Sequence, residues 1–159
     1  METLEEEIGR LLSQKGWTMG TVESATGGLI AHRITNVPGS SDYFLGSVVS
    51  YSNDIKMKCA GVKKATLEEH GAVSPEVAEQ MAAGGRRVLK VDICVADTGI
   101  AGPGGETPEK PVGLFYLGLA DRDGSSFKKH VFTGTREENK AAAAETALQW
   151  VRDYLKAIT

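Results

Sequence analysis

Thr18-Met19-Gly20-Thr21-Val22-Glu23-Ser24-Ala25-Thr26-Gly27-Gly28 is the stretch on which the fold turns. Thr18 to Val22 reads as a short strand. The polar residues Glu23 and Ser24 follow, and a helix starts near Thr26-Gly27-Gly28 and carries Leu29, Ile30, Arg33 and Ile34 at helical spacing. A strand that runs through a polar turn into a helix belongs to an α/β sheet, and in such sheets the crevice beyond the strand ends is where ligands bind.

Working outward, Leu4, Ile8, Leu11 and Leu12 mark a preceding helix that Gly16 ends. Downstream, Pro38 to Ser41 is a turn cluster, Leu45 to Tyr51 reads as a strand, and short helices run from Asp54 to Cys59 and from Ala65 to Glu69. Ser74-Pro75 is a cap followed by a proline at the first helical position, which predicts a helix to about Lys90. Ile93 to Thr98 reads as a central strand, Gly99 to Pro111 as a loop, and Val112 to Ala120 with Ser126 to Thr133 as a hairpin across Asp121 to Gly124. A last helix spans about Arg136 to Ala157. Early alternation with a late hairpin predicts a three-layer α/β/α sandwich, its sheet mixed but mostly parallel, as one domain over residues 1–159.

The composition is globular, with 41% hydrophobic and 25% charged residues among 159. A net charge of -3 argues against duplex nucleic acid as the main partner, because phosphate neutralisation needs a basic face. Cys59 and Cys94 form no CxxC, and His32, His70 and His130 share no metal-ligand spacing, so no metal or cofactor is expected. Cys94 lies in an apolar run and reads as an inert buried thiol. The acidic start Met1 to Glu7 is unlike a secretory signal, no apolar stretch is long enough to cross a bilayer, and the expected location is the cytoplasm.

Four polar segments follow apolar strands. In the first, Ser24 sits on a strand-to-helix turn, and the N–H groups of Thr26, Gly27 and Gly28 could favour a phosphate or an oxyanion. Equally, Ser24 or Thr26 could simply cap the helix. In the second, Tyr51 ends a strand and Lys56 lies about one turn into a helix; a desolvated lysine can act as a base, whereas a lone lysine is ordinarily a surface residue. In the third, Thr98-Gly99-Ile100-Ala101-Gly102-Pro103-Gly104-Gly105 lets backbone approach a ligand, yet matches neither the P-loop nor the dinucleotide fingerprint. In the fourth, Arg136 near a helix start can clamp a phosphate or pair with Glu137 or Glu138. Glu23 could orient Ser24 or Lys56, or bond to backbone.

Glu23-Ser24-Ala25-Thr26-Gly27-Gly28, Pro38-Gly39-Ser40-Ser41, Tyr51-Ser52-Asn53, His70-Gly71-Ala72-Val73-Ser74 and Gly99-Ile100-Ala101-Gly102-Pro103, in this order, resemble the CinA C-terminal domain family. This is the competence/damage-inducible family whose characterised members are nicotinamide mononucleotide deamidases of the PncC type. The resemblance implies hydrolysis of nicotinamide mononucleotide to nicotinic acid mononucleotide and ammonia, in pyridine nucleotide recycling. It carries a nucleophile role to Ser24, base and assisting roles to Lys56 and Tyr51, and ligand contacts to Thr98 and Arg136. The position commonly cysteine in the family is Ala25 here, which leaves Ser24 as the candidate nucleophile. Longer members carry a further N-terminal domain, and this chain looks like the stand-alone form.

The expectation is a metal-free serine–lysine amidohydrolase with no cofactor. Thr26, Gly27, Gly28, Thr98, Gly99 and Arg136 are expected to bind substrate, with the oxyanion on N–H groups around Gly27, Gly28 or Gly99. Partners are expected to be the small-molecule substrate and further copies of the chain, in a homo-oligomer such as a dimer, without a membrane. The rivals are a nucleotide-binding module without chemistry, tied to competence or DNA damage, and an amidohydrolase for another carboxamide.

Overall fold

The computed structural model describes residues 1–158. Its elements are α1 (Leu4–Lys15), β1 (Met19–Glu23), α2 (Leu29–Thr35), a short 3-10 turn (Ser40–Asp42), β2 (Phe44–Val49), α3 (Asn53–Ala60), α4 (Lys64–His70), α5 (Pro75–Leu89), β3 (Ile93–Gly99), β4 (Leu114–Asp121), β5 (Gly124–Val131) and α6 (Arg136–Ala157). The five strands form one sheet in the order β2-β1-β3-β4-β5. β1 lies parallel to both β2 and β3, whereas β4 is antiparallel to β3 and to β5. Three parallel strands and a closing hairpin give the mixed sheet expected from the element pattern.

Each helix buries an apolar stripe against one face. Ile8, Leu11 and Leu12 of α1, Ile30 and Ile34 of α2, and Leu148, Val151 and Leu155 of α6 pack on Met19, Ile93, Val95, Leu117 and Leu119. On the other face, Val77, Met81 and Ala82 of α5, with Ala60 of α3 and Leu67 of α4, cover Val22, Cys94, Ala96 and Ala120. Burial pushes the Cys94 thiol up to about 12, so it is the inert core residue its apolar neighbours imply.

The local signals act as their chemistry dictates. Thr3 and Glu6 close a capping box at the start of α1, and Gly16 ends that helix at φ 68°. Ser74 accepts the Val77 N–H, with Pro75 at the first position of α5. α5 lies so close to its neighbours that a Cβ at Gly84 would fall 1.6 Å from the Ala60 carbonyl oxygen, and one at Gly85 2.2 Å from Val22.

Several boundaries differ from the sequence expectation, two of them with a clear local cause. α2 begins at Leu29 rather than near Thr26, because Gly27 and Gly28 take φ values of 64° and 103° and form a turn. β5 begins at Gly124 rather than Ser126: Asp121 Oδ1 accepts the Asp123 N–H at 2.8 Å, and this tight turn lets Gly124 pair with Asp121.

The parallel strands end together. Ser24 follows β1, Ser50 and Tyr51 follow β2, and Thr98 and Gly99 close β3, so three of the four polar segments meet at one edge of the sheet.

Candidate active site

A hollow of about 300 Å³ lies at that edge, lined among others by Ser24, Tyr51, Lys56, Thr98, Gly102 and Arg136. This is at the low end of small-molecule sites, which run from roughly 300 to 1,000 Å³.

Lys56 is the decisive residue. Far from being a surface lysine, it is 2% exposed and among the largest buried side chains. The Ser52 side chain caps α3 through the Ile55 N–H, which sets Lys56 on the inner side of the first turn. Its Nζ lies 3.1 Å from Ser24 Oγ, 3.0 Å from the Ser50 carbonyl oxygen and 3.1 Å from the Tyr51 carbonyl oxygen. Those two carbonyls are available because β2 ends at Val49, short of the expected Tyr51, and the chain turns its backbone oxygens inward. Loss of water lowers the Lys56 pKa from the ordinary lysine value, and the negative charge of Asp97 opposes that shift.

Ser24 is buried and stands on a turn held by two acids. Asp97 Oδ1 accepts the Ser24 N–H and Asp97 Oδ2 the Thr26 N–H, both at 3.1 Å. The Thr26 hydroxyl contacts Glu23 Oε1 at 2.7 Å and also Asp97 Oδ1. Glu23 accepts the N–H groups of Gly28, Ile30 and Ala31 at 3.1, 2.9 and 2.9 Å, so it caps α2 and bonds to backbone instead of orienting Lys56. Asp97 is fully buried, and burial raises its carboxyl to about 6, with the charge of Glu23 adding to the rise and bonds from Thr26 and Ser24 holding it back.

Several expected roles move. The amides of Thr26, Gly27 and Gly28 are not free for an anion: they donate to Asp97 Oδ2, the Ser24 carbonyl and Glu23 Oε1. The backbone makes its turn on internal acceptors because the helix starts three residues later than its sequence suggests. Tyr51 is 64% exposed, and its hydroxyl accepts from Arg136 Nη2 at 3.2 Å, so it bonds to Lys56 through its carbonyl. Thr98 lines the hollow, yet its hydroxyl donates to the Ala72 carbonyl at 2.7 Å, tying β3 to the segment before α5. Gly99 also lines it; there a Cβ would fall 2.4 Å from Phe115, so core packing by itself demands glycine. Arg136 stands at the exposed rim, its Nη1 on the Gly102 carbonyl at 2.8 Å. Ala25 lines the hollow as well, and among the described residues its N–H finds no acceptor.

Two residues escaped the sequence reading. Asp97 left one signal, an acid inside the apolar run of a central strand. Asn139, 1% exposed, accepts the Gly134 N–H and donates to the Ala101 carbonyl, holding the glycine loop to the start of α6. It left none, because a polar residue in a first helical turn ordinarily faces water. Among the described residues, no group of three His, Cys, Asp or Glu side chains could hold a metal ion, and no helix is long and apolar enough to cross a membrane.

Fold and site together define a class: a three-layer α/β protein with a serine and a lysine in contact, both buried, where its parallel strands end. Residues 1–155 match the model of the CinA C-terminal domain, and the chain belongs to that family. A protein of Halothermothrix orenii, named as competence-damage inducible, is 50% identical over 156 residues, which cover 97% of this chain and 38% of that protein. The chain thus spans 38% of the length of this curated relative. Among solved structures, the competence/damage inducible protein CihA from Agrobacterium tumefaciens shares 38% identity at a TM-score of 0.87, with 98% of each chain covered. A CinA superfamily protein from Klebsiella pneumoniae superposes with a TM-score of 0.93 at 28% identity, over 97% of this chain and 96% of that one.

Proposed function

We propose that this chain is an amidohydrolase that deamidates nicotinamide mononucleotide, with Ser24 as nucleophile and Lys56 as base. One observation carries the reading. The Lys56 nitrogen has three partners, of which two are carbonyls that can only accept and the third is a hydroxyl. A neutral amine has two N–H groups and one lone pair, and it satisfies this set if the lone pair takes the Ser24 proton. An ammonium would spend its third donor on the hydroxyl oxygen and block the attack.

Ser24 Oγ then attacks the carboxamide carbon as its proton passes to Lys56. Collapse of the tetrahedral adduct, with a proton returned from Lys56, releases ammonia, and water hydrolyses the remaining nicotinoyl ester. The Ala25 N–H is the donor we assign to the oxyanion, since it follows the nucleophile and finds no acceptor among the described residues. Arg136 has donors left beyond its two contacts and is the residue we assign to the ribose phosphate. The family resemblance supports the choice of substrate.

Ammonia release from nicotinamide mononucleotide, run beside calorimetric binding, tests the proposal. Ser24→Ala is expected to bind nucleotide and lose turnover by about 10³-fold or more, and Lys56→Met by at least about 10²-fold. Wild-type activity should fall on the acid side as Lys56 takes up a proton. Near-normal turnover in Ser24→Ala refutes the nucleophile. Nucleotide binding by wild type without ammonia release would instead make the domain a nucleotide-binding module.

A further inference from the structure

Asp97 is an anomaly on its strand. Val95 and Ala96, which precede it, and its cross-strand partner Leu117 are buried and apolar, yet its carboxyl has no exposed surface. Burying a carboxylate is costly unless it is well bonded. The bonds it makes are to the turn that carries the nucleophile: one oxygen holds the Ser24 amide, the other the Thr26 amide. Asparagine in the same pose would accept from one of them and turn its NH2 group on the other. The Thr26 hydroxyl touches both Asp97 and Glu23 but has one proton, so it satisfies one acid at a time. Glu23 already spends both oxygens on the amides of α2. The charge on Asp97 is therefore only partly quenched locally, and Ser24 stands between it and Lys56: Asp97 holds the Ser24 amide and Lys56 Nζ lies 3.1 Å from the Ser24 hydroxyl, so the carboxylate favours the ammonium through space.

We propose that Asp97 is a positioning residue of this site: it clamps the backbone on either side of Ala25, and its negative charge offsets the ammonium formed when Lys56 takes the Ser24 proton. The inference rests on the reading of Ser24 and Lys56 as nucleophile and base. In the step concerned, the Ser24 oxygen bonds to the carboxamide carbon, its proton moves to Lys56, and the carbonyl electron pair moves to oxygen. A neutral pair becomes a cation and an oxyanion. A fixed anion nearby favours the cation in a water-poor site, much as the acid of a catalytic triad stabilises the imidazolium. Unlike that acid, Asp97 reaches the base through space, and the bonds it makes aim the nucleophile.

The groups facing Asp97 leave few rivals for this role. β1 contributes Glu23, and α3 contributes Lys56. α6 covers the same face with Ala144 and sets the Lys140 ammonium beside Gly27 of the turn, and α5 covers the opposite face with Val77 and Met81. Lys56 in turn shares the hollow with Tyr51 and Arg136, which bond to each other at the rim.

The test is a ¹³Cε-lysine NMR titration of the full chain, with Lys56 assigned by its loss in Lys56→Met. Removing a negative charge disfavours the ammonium, so in Asp97→Asn the Lys56 midpoint should move to lower pH, by about one pH unit, or tenfold in the proton affinity. Kinetics of ammonia release should show kcat down by about 10²-fold, KM little changed, and the acid limb displaced in the same direction. An unmoved Lys56 midpoint overturns the proposal whatever the activity. Should the variant fail to fold, the wild type decides: its Lys56 curve should carry a second, smaller inflection near the pH of about 6 at which Asp97 takes up its proton, and a single-step curve overturns the proposal. If wild type releases no ammonia while the Lys56 midpoint still moves in the variant, the deamidase reading falls and the coupling of Asp97 to Lys56 stands.

Discussion

Lys56, Asp97 and Arg136 differ in what their surroundings make of one property, a formal charge. Lys56 is stripped of water, which favours the amine over the ammonium, while the charge of Asp97 pulls the other way. Asp97 is stripped of water and compensated by amides. Arg136 remains at the rim, held by Gly102 and Tyr51 with donors to spare. Under the proposed function, Arg136→Ala should lose about 10- to 100-fold in kcat/KM toward nicotinamide mononucleotide, the worth of a charge-assisted contact. It should change little toward nicotinamide riboside, which has no phosphate. Parallel kinetics on the two substrates check this, and equal losses on both would show that Arg136 holds the loop and not the ligand. Ser24 was legible as a hydroxyl on a strand-to-helix turn. Lys56 was legible as a candidate base mainly through the family resemblance, because a lysine one turn into a short helix looks the same in sequence whether water or a serine waits beside it.

At the scale of elements, the turn after β1 and the placement of α5 decide the site. The turn uses Gly27 and Gly28 at positive φ to bring the α2 amides over Glu23, an arrangement that side-chain-bearing residues would strain. α5 presses on α3 at Gly84, where a methyl group would meet the Ala60 carbonyl. Gly84→Ala removes a helix-weakening glycine, yet the overlap wins, because the obstacle is backbone and not a flexible side chain. The variant should lose about 1–3 kcal/mol in urea unfolding. Since Ala60 ends the helix that carries Lys56, turnover should drop with stability. A variant as stable as wild type would mean that the two helices separate freely. The helix and strand identities were readable from periodicity and caps. The start of α2 was not, because glycines at a helix start and glycines in a turn before it read alike.

For the molecule as a whole, the buried acid links the site to stability. Asp97 has a folded-state pKa of about 6, above its unfolded value near 3.8. Between these values the native state binds more protons than the unfolded chain, so this group's contribution to stability falls as pH rises. The full gap corresponds to about 3 kcal/mol, present below the unfolded pKa and lost as pH rises through about 6, most of it between pH 4 and pH 7. Asp97→Asn removes the titration, so the stability of the variant relative to wild type should improve across that range by up to about 3 kcal/mol. Urea unfolding at pH 4 and pH 7 measures it, and a difference independent of pH would show that the acid is not perturbed. That a chain would keep an acid that weakens it at neutral pH fits a site in which the charge has work to do. Residue order and periodicity alone determined the three-layer class, the mixed sheet, the order of its elements and the polar segments that meet where the strands end. Those features depend on local propensity and on which faces must be buried, and both are written along the chain. Only the tertiary structure decided that Lys56 touches Ser24, that Asp97 stands behind them, and that the amides of Gly27 and Gly28 are spent within the protein. These depend on distances between residues tens of positions apart and on the water excluded between them, which no single stretch of sequence records.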